Sequence, residues 1–589
     1  MDVMYALGIS TAYGASVAGT FGLLPSHEFM LYETAIMLAG FLILGRFLEN
    51  NAKGKTSQSI RKLINLQPKS AVVIRDGKEM TIPVENIEAG EELIVRPGEQ
   101  IPVDGKVIRG ESTVNESMIS GEPLPVYKAS GYSVTAGTLN KSGVVHIVSE
   151  RIGKDTVLAK IIKLVRDAQS SRPPVQLFAD RVVTVFIPVI LVLAVTAFLI
   201  WFFIIGTPLV FALTVMISVV VIACPCALGL ASPTAVTVGI GRGAELGILI
   251  KNGDVLEKSE AVTTVVFDKT GTLTAGKPAV KNVYASGIDN LTFLSLAASV
   301  EKNSIHPLAE AVVEYAKQAG CELLPVDSFH TFEGKGVKAV VSGKEIVLGS
   351  AQFLAEMGIA VADELNRYAQ SQNTMSHVFM AVDRNSAGIL SVNDTLRDDA
   401  AAAVEALKEM GLEVMMITGD KKETAIHTGS QIGISDIIAG VLPHQKADKI
   451  QALQERGKKI VFVGDGINDA PALARADIGI AIGSGTDIAI ETGEIVLVKN
   501  NLKDVVASIQ LGRKIIRQIR INIFWAFAYN SALIPLAAGI LKPWFGVVFK
   551  PELAGLAMAM SSVTVVSFSL LLRRYIPDIY RKAKNITDD

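Results

Sequence analysis

Asp268-Lys269-Thr270-Gly271-Thr272-Leu273-Thr274 sets a carboxylate at the head of a loop of small hydroxyl residues and a glycine. The β-branched run before it, Thr263-Thr264-Val265-Val266-Phe267, reads as a buried strand. An aspartate just past a strand's carboxyl end sits where open α/β sheets hold their chemistry. A carboxylate there can act as a covalent nucleophile and form an aspartyl phosphate. Two further strand-like runs end in polar loops: Met415-Met416-Ile417 before Thr418-Gly419-Asp420, and Val461-Phe462-Val463 before Gly464-Asp465-Gly466-Ile467-Asn468-Asp469. Taken singly, each Gly-Asp pair reads as a turn. In this order, the three loops can gather Asp268, Thr418, Asp420, Asp465 and Asp469 around phosphate and a hard, oxygen-seeking Mg²⁺. Asp268 is the expected nucleophile and Asp465 the expected Mg²⁺ holder. Lys446, in Pro443-His444-Gln445-Lys446, could supply a further cation to the transferring group.

A parallel sheet is what would bring such loops together. Between Ala261 and Asn501 strand-like runs alternate with helical ones, as parallel α/β sheets require. Residues from about Lys277 to Val392 read as a separate α/β insertion, because the second strand follows the first only after a long interval. From Lys69 to Ser149, short β-branched runs alternate with turn signals such as Asp76-Gly77 and Pro97-Gly98, the pattern of a compact β-rich domain.

The 589-residue chain is 50% hydrophobic with a net charge of −2. Its mean hydropathy of +0.40 is high for a soluble protein. The balanced charge gives no sign of a nucleic-acid partner. Three cysteines do not make a disulfide framework, and no cleavable leader is expected. Six stretches are long enough to cross a hydrocarbon core of roughly 30 Å: Val3 to Leu24, Phe29 to Leu48, Val182 to Ile205, Leu209 to Val238, Ile521 to Ile540 and Glu552 to Leu572. The basic tail, with Arg573, Arg574, Arg581, Lys582 and Lys584, puts the long charged segments on the cytosolic side. Cys224-Pro225-Cys226 lies in the fourth stretch. Residues two apart on an unbroken helix point to different faces, but proline disrupts the turn, so both sulfurs can converge on one ion. Soft thiolates select Cu(I), Zn²⁺ and similar metals over Mg²⁺ or Ca²⁺.

The complete set, DKTGTLT at Asp268, TGD at Thr418 and GDGINDAP at Gly464, resembles the P-type ATPases, specifically their heavy-metal-transporting branch, over essentially the whole chain. The resemblance implies a multidomain membrane protein: an α-helical transmembrane bundle, a β-rich actuator domain, a Rossmann-like α/β phosphorylation domain of the haloacid-dehalogenase type, and an α/β nucleotide-binding insertion. The expected boundaries are 1–50 and 180–240 for the first four of six spans, 66–165 for the actuator, 261–277 with 393–505 for the phosphorylation domain, 278–392 for the insertion and 519–573 for the last two spans. Catalytic roles fall on Asp268, Thr418, Asp420 and Lys446, with Asp268, Thr270 and Asp465 on Mg²⁺. Glu122, in Ser120-Gly121-Glu122-Pro123, would position the hydrolytic water. Glu301, His306, Gly334, Gly336 and Asp420 would bind ATP. Two departures stand out: the branch's Ser-Glu-His-Pro is Ser304-Ile305-His306-Pro307, and its Gly-Asn pair is Gly349-Ser350.

Ion choice follows from the membrane residues. Cys224, Cys226, Tyr529, Asn530, Met558 and Ser562 are similar to the copper(I)-exporting subgroup, and no carboxylate stands between Leu553 and Leu572, where zinc transporters place one. Met1, Glu49 and Asp180 resemble residues that admit the ion, and Glu33 one that releases it. The implied activity is ATP-driven export of Cu(I), or Ag(I), by a multi-pass protein of a prokaryotic cell membrane, supplied by a copper chaperone. A zinc or cadmium transporter, the ATPase subunit of a potassium-uptake complex and a membrane-tethered phosphohydrolase are the alternatives. That subgroup usually has eight spans and an amino-terminal Cys-x-x-Cys domain; this chain is expected to start at the third span, without that domain.

Overall fold

The computed structural model describes residues 2–21, 32–56, 66–117, 125–171, 173–223, 227–304, 307–332, 335–372, 375–466, 469–483 and 491–581. They form two compact units: residues 1–261, 494–499 and 507–589, and residues 262–493 with 500–506.

In the first unit a six-stranded antiparallel sheet runs in the order Lys78–Pro83, Ser70–Arg75, Glu92–Val95, Val145–Arg151, Asp104–Arg109, Ser133–Val134. The first hairpin closes through Asp76 and Gly77, both at positive φ (52° and 72°), the backbone a tight right-twisting hairpin needs. Alternate residues of these strands, among them Val73, Leu93, Val95, Val107, Val145 and Ile147, make its core.

The helices of this unit include Asp2–Thr20, Tyr32–Thr56, Val157–Ser170, Pro174–Leu199, Leu209–Ile222, Leu228–Glu245, Lys503–Ala537 (its first residues apart) and Pro551–Leu571. Tyr32–Thr56 packs on Pro551–Leu571 through small residues: a Cβ on Gly45 would sit 3.4 Å from the Ala559 Cβ. By length and apolarity alone, two described helical stretches suffice to cross a membrane, Ala179–Ile204 and Pro551–Arg574; Leu209–Ile222 is a shorter apolar helix. The expected fourth span is two helices, ending at Ile222 and restarting at Leu228, on either side of Pro225. Of the expected fifth span, Ile521 to Ile540, all but the last three residues belong to the 35-residue helix Lys503–Ala537. Arg513, Lys514, Arg517 and Arg520 lower the hydropathy of its first half, while Leu511, Ile515, Ile516 and Ile519 keep a buried stripe at helical spacing.

In the second unit, five parallel strands lie in the order Ile478–Ile482, Ile460–Gly464, Thr264–Asp268, Glu413–Ile417, Asp436–Ile438. All five residues of Thr264–Asp268 are buried, which explains its unbroken apolar run. A six-stranded antiparallel sheet, Thr274–Ala285, Asn385–Leu396, Ser376–Val382, Lys344–Gly349, Gly336–Val341, Val326–Phe332, carries the helix Asn290–Glu301 in its core. Positions 278 and 392, expected as boundaries of an insertion, fall inside two paired strands of this sheet. The ladder shifts register between Thr274 and Pro278, where proline has no N–H to offer.

Candidate functional site

Asp268 ends the central parallel strand, paired with Ile417 on one side, while Phe267 pairs with Val463 on the other. Three strand ends therefore open at one edge, and the loops after them meet as the sequence leads one to expect. Lys446 Nζ donates to Asp268 Oδ1 and to Asp469 Oδ1, each at 2.6 Å. All three side chains are buried. Lys269 Nζ is paired with Asp420, whose backbone N–H donates to Thr418 Oγ1 at 3.1 Å. Thr418 is held in turn by its own N–H on the Ile438 carbonyl.

The loop after Asp268 needs a glycine. Gly271 has φ 74°, and a Cβ there would stand 3.3 Å from Asp465 Oδ2. Arg397 clamps this loop by donating to the carbonyls of Gly271 (3.0 Å) and Thr274 (3.2 Å). Neither Arg397 nor the Lys269–Asp420 pair was singled out from sequence. Lys269 is adjacent to Asp268 and carries a signal by that position; Arg397, in an ordinary polar stretch, carries none.

Burial pushes the Asp268 carboxyl up to about 7, the neighbouring Asp469 charge adds to this, and Lys446 works against it. Asp469 is raised for the same first reason. For Lys446, burial works to remove the charge, but the two carboxylates outweigh it and hold the ammonium. With both carboxylates ionised, one lysine leaves the trio net negative, and Asp469 Oδ2 is buried without a hydrogen-bond partner. Asp465 and Asp268 add oxygen donors of the kind Mg²⁺ prefers, so these residues fit that ion. Among the described residues, no three carboxylate, histidine or cysteine side chains form a ready-made metal cage; Mg²⁺ is commonly held by one or two carboxylates and substrate phosphates.

A cleft of 670 Å³ opens beside this loop, lined by Lys269, Thr270, Asp394, Gly419, Asp420 and His377. A second cavity, of 280 Å³, is lined by Glu301, Leu308, Gly336, Gly349, Ser350 and His377. Leu308 and His377 line both, so the two cavities adjoin. Burial raises the Glu301 carboxyl to about 7. Gly336 has a packing reason beyond ligand approach, because its Cβ would meet the Leu348 carbonyl at 2.2 Å. Ser350 caps the helix Ala351–Glu356 by accepting from the Phe353 N–H, a role asparagine fills equally well.

In the helical region Asn530, Met558 and Ser562 are buried and Tyr529 is half-buried. Asp180 is exposed near the start of its helix. Glu33 is exposed, whereas its neighbour Thr34 is buried and donates to Glu552 Oε1 at 2.6 Å. Met1, Glu122, Cys224, Cys226, His306 and Gly334 lie outside the described residues, and of Glu49 only the helical backbone is described.

A central strand ending in a buried aspartate, backed by lysine and a second aspartate, is the arrangement of a haloacid-dehalogenase-like site. Residues 262–477 match the haloacid dehalogenase-like hydrolase family, and residues 65–166 match the P-type ATPase actuator domain. The chain is 52% identical over its full length to a probable copper-exporting P-type ATPase of Archaeoglobus fulgidus, covering 72% of that protein. It is 44% identical to a copper-exporting P-type ATPase of Bacillus subtilis, over 98% of this chain and 71% of the relative. A zinc-transporting PIB-type ATPase in its E2.Pi state superposes with a TM-score of 0.62 at 31% identity, covering 96% of this chain and 90% of that one. The chain belongs to the P-type ATPases, in their heavy-metal-transporting branch.

Proposed function

We propose that the protein exports Cu(I), and would accept Ag(I), from the cytosol across a prokaryotic cell membrane, driven by ATP through phosphorylated Asp268. One structural observation carries the ion choice. In the last helix Met558 is 6% exposed beside buried Ser561 and Ser562, while Met560, two residues on, is 52% exposed. The thioether thus faces other helices, on a span without a carboxylate between Leu553 and Leu572. With the Cys224 and Cys226 thiolates and the Tyr529–Asn530 pair, that donor set suits a monovalent soft ion. The copper-exporting relatives, at 44–52% identity, support the same reading. The zinc-transporting structural neighbour, at 31%, is the source of the alternative.

In the cycle we propose, the ion arrives from a copper chaperone by way of Met1, Glu49 and Asp180, and leaves past Glu33. ATP lies across the adjoining cavities, its base near Glu301, His306, Gly334 and Gly336 and its phosphates near Thr418 and Asp420. A carboxylate oxygen of Asp268 attacks the γ-phosphorus, the bond to the ADP oxygen breaks, and ADP departs. Lys446 offsets charge beside the acyl phosphate, and the Lys269–Asp420 pair fixes the cleft wall. Asp268, Thr270 and Asp465 would hold Mg²⁺, which would supply neutralisation of phosphate charge there. Glu122 then orients the water that attacks the phosphorus; the bond to the Asp268 oxygen breaks, inorganic phosphate leaves, and Asp268 returns to its free carboxylate.

Changing Cys224 and Cys226 together to alanine should remove Cu(I)-stimulated ATP hydrolysis and leave phosphorylation from inorganic phosphate intact. Stimulation of the unaltered protein by Zn²⁺ instead of Cu(I) would sink the copper reading.

Glu301 gives a pH signature. With its carboxyl near 7 in the free protein, acceptance of the adenine amino group by the carboxylate requires a proton to leave first. ATP affinity should therefore be flat above about pH 7 and fall about tenfold per unit below it, since one pKa unit corresponds to about 1.4 kcal/mol. Titrating ATP against Glu301→Gln in parallel, which should lack this slope, separates the effect from protonation of ATP itself.

A further inference from the structure

Two helices proposed to carry ion ligands, and a third that starts two residues after Cys226, each carry a buried polar residue on the cytosolic side. Asn522 lies seven residues before Tyr529, Ser569 seven after Ser562, and Thr234 eight after Cys226. At 1.5 Å per residue, the seven-residue offsets of Asn522 and Ser569 within their helices put those two side chains about 10 Å below the ligand level, and Thr234 joins them from the helix Leu228–Glu245. They meet there. Asn522 Nδ2 donates to Ser569 Oγ at 2.8 Å and to the Ala231 carbonyl at 2.9 Å, while its Oδ1 accepts from Gln518 Nε2 at 3.0 Å. Ser569 Oγ is 3.0 Å from Thr234 Oγ1 and 3.0 Å from the Val565 carbonyl, and Thr234 Oγ1 is 2.6 Å from the Leu230 carbonyl. Asn522 and Ser569 have no exposed surface, and Thr234 has 3%.

We infer that Asn522, Ser569 and Thr234 form a positioning layer that sets the relative height and rotation of these three helices and so tunes ion affinity. This rests on the ion-site reading above. Asn522 uses both amide donors and accepts one bond at Oδ1, and a network with its donors satisfied in this way favours one arrangement of its helices. Its least conventional contact is the one to the Ala231 carbonyl. That bond holds the backbone of the helix Leu228–Glu245 within its first turn. The same segment is held again nearer the cytosol: Gln169, on the helix Val157–Ser170, donates to the Thr237 carbonyl at 3.1 Å, and Arg242 donates to the Tyr575 carbonyl at 2.9 Å. The half-helix is thus registered by side chains from three other segments. Residues that orient metal ligands without touching the metal commonly change affinity by about 10–100-fold when removed.

The test uses the purified full-length chain and two phosphorylation assays: from ATP, as a function of free Cu(I), and from inorganic phosphate without metal. Asn522→Leu and Thr234→Val should each raise the half-activating Cu(I) concentration at least about tenfold, with phosphorylation from inorganic phosphate within about twofold of the parent. Thr234→Ser keeps the hydroxyl and should restore parental activation. Unchanged half-activating concentrations in Asn522→Leu and Thr234→Val would overturn the proposal. So would equal loss of both routes in all three variants, because the layer would then only hold the bundle together. A parent protein that Cu(I) does not stimulate would instead count against the ion-site reading itself, before any variant is made.

Discussion

Asp268→Asn should yield no acid-stable phosphoenzyme from labelled ATP, with hydrolysis down by at least about a thousandfold, as for loss of other covalent nucleophiles. The same substitution should leave the fold as stable as the parent or more so. The argument is electrostatic. A carboxyl raised from 3.8 to about 7 by burial keeps its proton in the folded chain at pH values where the unfolded chain has released it. Stability is therefore greatest at low pH and declines as pH rises through that window, because the ionised Asp268 sits desolvated beside Asp469. Asparagine is neutral at every pH and removes that cost, while Lys446 retains Asp469 as its partner. Thermal unfolding followed at pH 5 and pH 8 should show the variant gaining on the parent at the higher pH. Retained labelling would refute Asp268 as the nucleophile; a large loss of stability at pH 8 would refute the electrostatic account.

Lys446→Met should act in the opposite direction on stability. The methionine fills the space of the lysine stem but leaves Asp268 and Asp469 facing each other in a buried site without a cation. Removing one partner from a buried ionic cluster costs about 3–5 kcal/mol. Hydrogen exchange in the strands Thr264–Asp268 and Ile460–Gly464 should report that loss locally in the intact chain. Because both carboxyls are already raised, the defect should shrink as pH falls from 7 toward 4 and the pair takes up protons. A second substitution, Asp469→Asn, should recover most of the exchange protection without recovering phosphoenzyme. If protection in Lys446→Met were the same at pH 5 and pH 8, the two carboxylates would not be the cause.

The sequence made the phosphotransfer site legible because its residues lie at the ends of uniformly apolar strands. A run such as Thr264–Phe267 leaves little doubt about burial, and a parallel sheet must put consecutive strand ends on one edge. Lys446 was readable as a cation near that edge; its sharing between Asp268 and Asp469 was not, since that depends on how the helix Lys446–Glu455 meets the sheet. Arg397 acts through backbone carbonyls, and carbonyls carry no sequence signature. Hydropathy marked the apolar stretch from Ile521 but not the start of the helix that contains it, because four basic residues mask a helical stripe that continues back to Lys503. Asn522 was visible as a polar residue in an apolar stretch, yet its partners Ser569 and Thr234 lie in other helices and read singly as ordinary small residues.

The strands Thr274–Ala285 and Asn385–Leu396, which carry the chain into and out of the antiparallel sheet, are hydrogen-bonded to each other along most of their length. The chain therefore departs and returns about 5 Å apart, the spacing of neighbouring strands. A segment inserted at two adjoining points is a cassette: removing it leaves ends that a two-residue turn can rejoin, and replacing it does not require the five parallel strands to change order. The nucleotide-proximal half of this unit is thus open to domain grafting, and a graft cut within the Ala279–Ala285 and Gly388–Asn393 ladder should preserve the alignment of the Asp268 edge.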